Sequence, residues 1–109
     1  TVYGSGKQTR DFVFVGDVVD ALTAALIRPQ TATLNIGSNQ PTSIIRLVNL
    51  IQKLTGKKAK INYQPKRPVE IEKSLFSYKQ AKLKLNWQPK TSIEEGLNAT
   101  IGFNLANVK

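Results

Sequence analysis

Asp11-Phe12-Val13-Phe14-Val15-Gly16-Asp17-Val18-Val19 governs how the rest of the chain is read. Phe12 to Val15 alternate aromatic and β-branched residues, so Asp11–Val15 is predicted to be a short strand. Gly16 breaks it, and Asp17 is placed to cap a following helix from Val18 to about Ile27. Val18, Leu22, Ala25 and Leu26 would share one helix face, and Arg28-Pro29 ends the run. A strand that feeds directly into a helix excludes an all-helical or all-β chain.

Upstream of that unit, residues 1–9 are small and polar, and Gly4 and Gly6 mark a tight turn. Downstream, Thr33–Ile36 reads as a second strand and residues 37–41 as a loop. With Thr42 or Ser43 as N-cap, Ile44, Leu47, Val48, Ile51 and Leu54 recur at helical spacing until Gly56 stops them. Lys60–Gln64 alternates like a third strand. Pro65 and Pro68 then bracket an extended basic segment. Ser77 to about Leu85 is predicted to be a short helix stopped by Asn86, with Trp87 and Pro89 in an apolar turn. Thr91-Ser92-Ile93-Glu94 reads as a capping box, with Thr91 as N-cap, that opens a last helix. Interleaved strands and helices leave two classes, α/β and α+β.

The chain has 109 residues, enough for one domain and too few for two. Hydrophobic residues make up 40% and charged residues 21%, a globular balance. No apolar run approaches the roughly 18 residues of a membrane span, and no signal-peptide pattern opens the chain. Cys and His are both absent, which excludes disulfides, Cys/His zinc sites, thiolate nucleophiles and Ser-His-Asp catalysis. Met is absent too, and the expectation is a piece of a longer protein.

The net charge of +9 is concentrated in the middle. Residues 28–90 carry thirteen bases and two acids, whereas the segments on either side are each slightly acidic. An anionic partner fits such a block. Lys supplies 12 of the 16 bases, and Arg10, Arg28, Arg46 and Arg67 are far apart in sequence. That pattern does not resemble an Arg-rich recognition helix with interleaved aromatics, so a nucleic-acid-binding module stands only as the alternative.

Two motifs invite over-reading. Gly4-Ser5-Gly6-Lys7 has the look of a phosphate loop, but Gln8 follows the Lys and a strand comes next instead of a helix. Tyr78 and Lys82 match the Tyr-x-x-x-Lys spacing that puts a phenol and an ammonium on one helix face. Such i, i+4 coincidences are common on Lys-rich helices.

Five segments, in order, resemble the C-terminal half of the extended short-chain dehydrogenases/reductases, the NAD-dependent epimerases and dehydratases of nucleotide sugars. They are Tyr3-Gly4-x-Gly6-x-Gln8-Thr9-Arg10-Asp11-Phe12 through Val19, Leu34-Asn35-Ile36-Gly37-Ser38, Thr42 to Gly56, Arg67-Pro68-x-Glu70, and Lys82-x-x-Leu85-Asn86-Trp87-x-Pro89 followed by Thr91 to Leu97. The resemblance covers residues 1 to about 105. Val69 stands where the family has Gly, Glu70 where it has Asp, and Asn86 where it has Gly.

What the resemblance implies is an α/β chain of short strands interleaved with about four helices, the Rossmann half being missing. Residues 1–109 would be one substrate-binding region. It implies a UDP-hexose 4-epimerase similar to UDP-glucose 4-epimerase, acting through a 4-keto sugar, with this piece inactive alone. Arg10 and Arg67 would contact the nucleotide diphosphate, a match for planar guanidinium groups. Glu70 would accept from ribose hydroxyls, and Phe12 would line the same cleft. No catalytic residue is expected here, since the family's Tyr and Lys lie upstream, which also removes Tyr78 and Lys82. NAD would be bound by the missing domain. The expected partner is a nucleotide-diphosphate sugar, in the cytoplasm, with no membrane. Self-association or a homodimer could arise on the surface the missing domain leaves bare.

Overall fold

The computed structural model describes residues 1–29 and 31–107. The elements run β1 (Val2–Tyr3), β2 (Thr9–Asp11), α1 (Val15–Ile27), β3 (Pro41–Ser43), α2 (Ile44–Thr55), β4 (Tyr63–Gln64), α3 (Lys79–Leu85) and α4 (Ile93–Asn107). The chain is thus α/β, with four helices among the described residues, as expected.

Local chemistry set several boundaries where the sequence placed them. The Ser43 hydroxyl accepts from the Arg46 amide at 3.2 Å, so Ser43 caps α2. Gly56 closes that helix at φ 67° and Asn86 closes α3 at φ 54°, both left-handed. Other boundaries moved. The strand predicted over Asp11–Val15 ends at Asp11, and α1 begins at Val15. Phe14 takes the N-cap position without a side-chain cap. Its ring packs so closely on Gly96 of α4 that a Cβ there would lie 3.2 Å from it. Burial of that ring wins over capping by Asp17.

Asp17 lies inside the first turn and is only 4% exposed. Its carboxylate accepts from the amides of Lys90 (3.2 Å) and Thr91 (3.0 Å) and from the Thr91 hydroxyl (3.1 Å). With Thr91 so engaged, the capping box shifts by one residue. Glu95 accepts from the Ser92 amide at 2.9 Å, and the Ser92 hydroxyl accepts from the Glu95 amide at 3.2 Å. Thr33–Ile36 forms no ladder; Leu34 and Ile36 instead pack as extended chain on the core. Pro41, expected in a loop, starts β3, and the third strand shrinks to Tyr63–Gln64.

β1 and β4 pair in parallel, Val2 opposite Tyr63. β2 and β3 pair antiparallel, Arg10 opposite Thr42. Thr9 is also tied on its other side: its amide donates to Glu72 O (2.9 Å) and its carbonyl accepts from the Ser74 amide (3.2 Å). β2 therefore bridges the start of the chain, the entry to α2 and the 72–74 segment.

The core is Ala21, Ala81, Leu85 and Trp87, flanked by Ala24, Ala25, Leu34, Ile36 and Tyr78. Small residues let α1 and α3 approach closely. The indole of Trp87 donates to the Asp17 carbonyl at 2.8 Å, and Tyr78 meets the Trp87 ring edge-on at 6.2 Å. Leu22 and Leu26, predicted to share a face with Val18 and Ala25, are 63% and 81% exposed. With Val15 and Val19 they form an apolar stripe at i, i+4, i+7 and i+11 on the outer side of α1.

The molecule is a slab, 46 × 38 × 20 Å, with a radius of gyration of 16.3 Å. A compact chain of this length has a radius near 13 Å. Its accessible surface is 8171 Å², against about 6,000 Å² for a compact monomer of this mass. The excess is surface that the described residues do not cover for one another. No helix among them is long and apolar enough to cross a membrane.

Candidate functional site

The glycine turn leaves β1 at Tyr3 and reverses through Gly4 and Gly6, at φ 67° and 73°. A Cβ on Gly6 would lie 3.2 Å from Val2 and 3.3 Å from Ile45, so the turn needs glycine to sit against the start of α2. There the first amides of α2 find acceptors: Ile44 donates to Gln8 O (3.1 Å) and Ile45 to Gly6 O (3.0 Å). The Gly4 amide donates to Gln64 O at 2.8 Å and fixes the outgoing end of β4. That end leads into Lys66 and Arg67.

Between this turn and the 66–73 segment lies a hollow of about 530 Å³. Tyr3, Gln8 and Thr9 line one side, and Lys66, Glu70 and Lys73 line the other. Glu70 is the hub. Its Oε1 accepts from Gln8 Nε2 at 3.1 Å and lies 3.8 Å from Arg10 Nη2. Gln8 Nε2 also donates to the Tyr3 carbonyl at 2.9 Å. Arg10 Nη1 donates to the carbonyls of Thr9 (2.9 Å) and Ile71 (2.5 Å), which pins the guanidinium under the 70–72 backbone. Glu70 Oε2 and Thr9 Oγ1 are both buried without a protein partner. Such groups are rare in native proteins and call for an explanation.

Arg67 stacks on Tyr3, its guanidinium carbon 3.8 Å from the centroid of that ring. The adjacent Tyr3 phenol raises its pKa above the ordinary guanidinium value, so it is charged at any working pH. Lys66 and Glu72 pair at 2.5 Å. Their hydrogen bond, more than their charge, pushes Lys66 up and Glu72 down. Lys7 and Lys73 complete a rim with more cations than carboxylates.

Of the residues singled out in the sequence, only Glu70 lines the hollow; Arg10 and Arg67 are not among the lining residues, and each instead touches one of them, Arg10 Glu70 and Arg67 Tyr3. Phe12 does not join them. It borders a separate hollow of about 250 Å³ with Ser38, Thr42 and Thr91. Asp11, next to Phe12, accepts from the amides of Ser38 (2.8 Å), Asn39 (3.2 Å) and Phe76 (3.1 Å) and from the Ser38 hydroxyl. It staples the end of β2 to two loops. Tyr78 and Lys82 sit on α3 beside the core, away from this hollow.

Gln8, Thr9 and Lys73 were not singled out. Gln8 and Thr9 lie inside the conspicuous Gly-x-Gln-Thr-Arg-Asp run, but the use of Gln8 depends on a residue 62 positions away. Among the described residues, no group of three or more His, Cys, Asp or Glu side chains is arranged to hold a metal.

Comparison with known proteins places this geometry in a wider setting. The family profile described as GDP-mannose 4,6 dehydratase matches residues 1–100. UDP-glucuronic acid decarboxylase 1 of Xenopus tropicalis is 37% identical over 103 residues, which is 94% of this chain and 24% of that protein. The crystal structure of UDP-glucose 4-epimerase from Thermotoga maritima with UDP-glucose superposes with a TM-score of 0.91 at 35% identity, over 99% of this chain and 36% of that one. UDP-glucuronic acid 4-epimerase from Bacillus cereus, in complex with UDP-glucuronic acid and NAD, superposes at 0.89 with 27% identity, over 98% and 35% of the two chains. The chain spans about a quarter to a third of the length of the curated relatives it matches.

Proposed function

The chain belongs to the NAD-dependent epimerase/dehydratase family of extended short-chain dehydrogenases/reductases, and from that premise we propose that it holds the nucleotide diphosphate of a UDP-hexose for a 4-epimerase. The observation that carries the reading is one hollow of about 530 Å³ lined by Tyr3, Glu70, Lys7, Lys66 and Lys73, with Arg10 3.8 Å from Glu70 and Arg67 stacked on Tyr3 just outside the lining. Cations at its rim favour an anionic ligand, and a planar guanidinium suits paired phosphate oxygens.

In this reading Arg67 clamps the diphosphate. Arg10 has one nitrogen committed to two carbonyls and contributes charge while fixing Glu70. Glu70 accepts from the ribose hydroxyls. Phe12 shapes the neighbouring wall without touching the nucleotide. The choice of 4-epimerisation through a 4-keto sugar draws on the two solved 4-epimerases named above. A cytoplasmic location goes with it.

The residues present do not make a dinucleotide cradle. The glycine turn leads into β2, not into a helix N-terminus, and a Cβ at Gly6 would meet Val2 and Ile45 rather than open space. No hydride step is therefore assigned to these residues. We place NAD and the catalytic Tyr and Lys on a part of the enzyme outside this sequence.

Calorimetric titration of the 109-residue chain with UDP tests the proposal. Binding is expected, and Arg67→Ala should weaken it about 10- to 100-fold, the worth of a charge-assisted hydrogen-bond pair. NAD-dependent interconversion of UDP-glucose and UDP-galactose by this chain alone should be undetectable. Turnover, or an affinity unmoved by the Arg67 substitution, contradicts the reading.

A further inference from the structure

The cations that face the hollow are lysines. Its lining carries Lys7, Lys66 and Lys73 against Glu70 and Glu72. Most of this charge is answered locally. Lys66 pairs with Glu72 at 2.5 Å, and Glu70 has Arg10 Nη2 at 3.8 Å. Lys7 and Lys73 are left over. Among the described residues neither ammonium group makes a hydrogen bond or an ion pair. Both residues are exposed, so a ligand in the hollow can reach them. The two guanidinium groups are otherwise engaged, Arg10 on the carbonyls of Thr9 and Ile71 and Arg67 on the Tyr3 ring.

Both lysines also stand on pinned backbone. Lys7 follows Gly6, whose carbonyl accepts from the Ile45 amide at 3.0 Å. Lys73 lies opposite Thr9, between the Glu72 carbonyl that accepts from the Thr9 amide (2.9 Å) and the Ser74 amide that donates to the Thr9 carbonyl (3.2 Å). We propose that Lys7 and Lys73 are specificity-determining anion contacts, which make the hollow prefer a ligand with two adjacent phosphates over one with a single phosphate. The inference rests on the nucleotide-diphosphate reading above and adds two residues to it. A diphosphate joined to a sugar carries a negative charge on each phosphate. Two separate ammonium groups, each a compact charge with three donors, match that pair. A monophosphate offers one such partner and leaves the second lysine without one.

The experiment compares UDP, UMP and inorganic pyrophosphate by calorimetry on the 109-residue chain, with Trp87 emission confirming that each variant is folded. Lys7→Gln and Lys73→Gln should each weaken UDP binding about 3- to 5-fold, the worth of an exposed charge pair. Together they should weaken it about 10- to 25-fold and bring the preference for UDP over UMP within about twofold. Lys7→Arg with Lys73→Arg keeps the charges and should keep the preference. Lys57→Gln with Lys58→Gln removes two exposed charges outside the lining and should change UDP affinity less than about twofold. A Lys7/Lys73 double glutamine variant that binds UDP like the wild type, or a Lys57/Lys58 variant that loses as much, overturns the assignment; the nucleotide site stands if Arg67→Ala still weakens UDP. Pyrophosphate bound as tightly as UDP overturns the nucleotide reading and leaves the two lysines as anion contacts. Absence of any UDP or pyrophosphate binding by the wild-type chain overturns both.

Discussion

Replacing Asp17 by alanine removes one side chain that ties the start of α1 to the entry of α4. Its carboxylate accepts three hydrogen bonds, from the Lys90 amide, the Thr91 amide and the Thr91 hydroxyl, at 3.0–3.2 Å. Bonds to a charged acceptor contribute about 1.5–3 kcal/mol each, and these lengths put them at the weak end. The losses overlap because two bonds go to one residue, so Asp17→Ala should cost about 3–4 kcal/mol. With a urea slope of about 1.5 kcal/mol per molar, the midpoint should fall by about 2–2.7 M. Asp17→Asn keeps an acceptor of the same shape without the charge and should cost about 1–2 kcal/mol. Trp87 is the sole tryptophan, and its indole donates to the Asp17 carbonyl, so its emission reports the event directly. Urea unfolding followed by Trp87 emission and by far-ultraviolet dichroism is the assay. An alanine variant within 1 kcal/mol of wild type would refute the latch, and so would an Asn variant as damaged as the alanine one.

Three further outcomes follow from other contacts. A Cβ at Gly37 would lie 2.6 Å from the Phe76 Cβ and 2.8 Å from Asp11 Oδ2, so Gly37→Ala should lower stability by about 1–3 kcal/mol in the same urea assay. Glu95 is held below the usual carboxylate range, chiefly by the Ser92 amide and then by the Ser92 side chain. Its folded pKa is lower than its unfolded one, so its contribution is complete above the unfolded pKa and disappears as the pH falls through the folded value. Glu95→Gln should flatten that part of the acid limb of helicity, measured by dichroism; an unchanged limb contradicts the capping box. Leu22 and Leu26 lie on the bare stripe of α1, so we propose that this stripe drives self-association: the chain should sediment as an associated species and Leu22→Asp with Leu26→Asp as a monomer, and a monomeric wild-type chain contradicts it.

What the sequence revealed divides by range. Ser43, Gly56 and Asn86 declared their roles because each acts on backbone within about one helical turn of itself. The Thr91 box missed by one residue because Asp17, 74 positions earlier, takes the Thr91 hydroxyl and amide. β2 was drawn too far forward, since apolar alternation marks Phe12–Val15 as strand-like while pairing partners exist only for Thr9–Asp11. The stripe on α1 was visible as a periodicity. Its orientation was not, because α3 selected the alanines and left the leucines outside. At the site, Arg10, Arg67 and Glu70 were singled out through their motifs; the structure puts Glu70 in the hollow and the two guanidinium groups against residues that line it. Gln8 was not, because its importance lies in two acceptors that only the folded chain assembles.

Nearly every tie made by the first twenty residues reaches far along the chain. Val2 pairs with Tyr63, Gln8 with Glu70, and Asp17 with Lys90 and Thr91. During synthesis at about 5–20 residues per second, Asp17 is incorporated about 4–15 s before Thr91 exists to receive it. For that interval the Asp17 carboxylate lacks the Lys90 and Thr91 donors that hold it in the finished fold. Nascent chains stalled before Thr91 should therefore leave α1 more open to protease than the finished chain does.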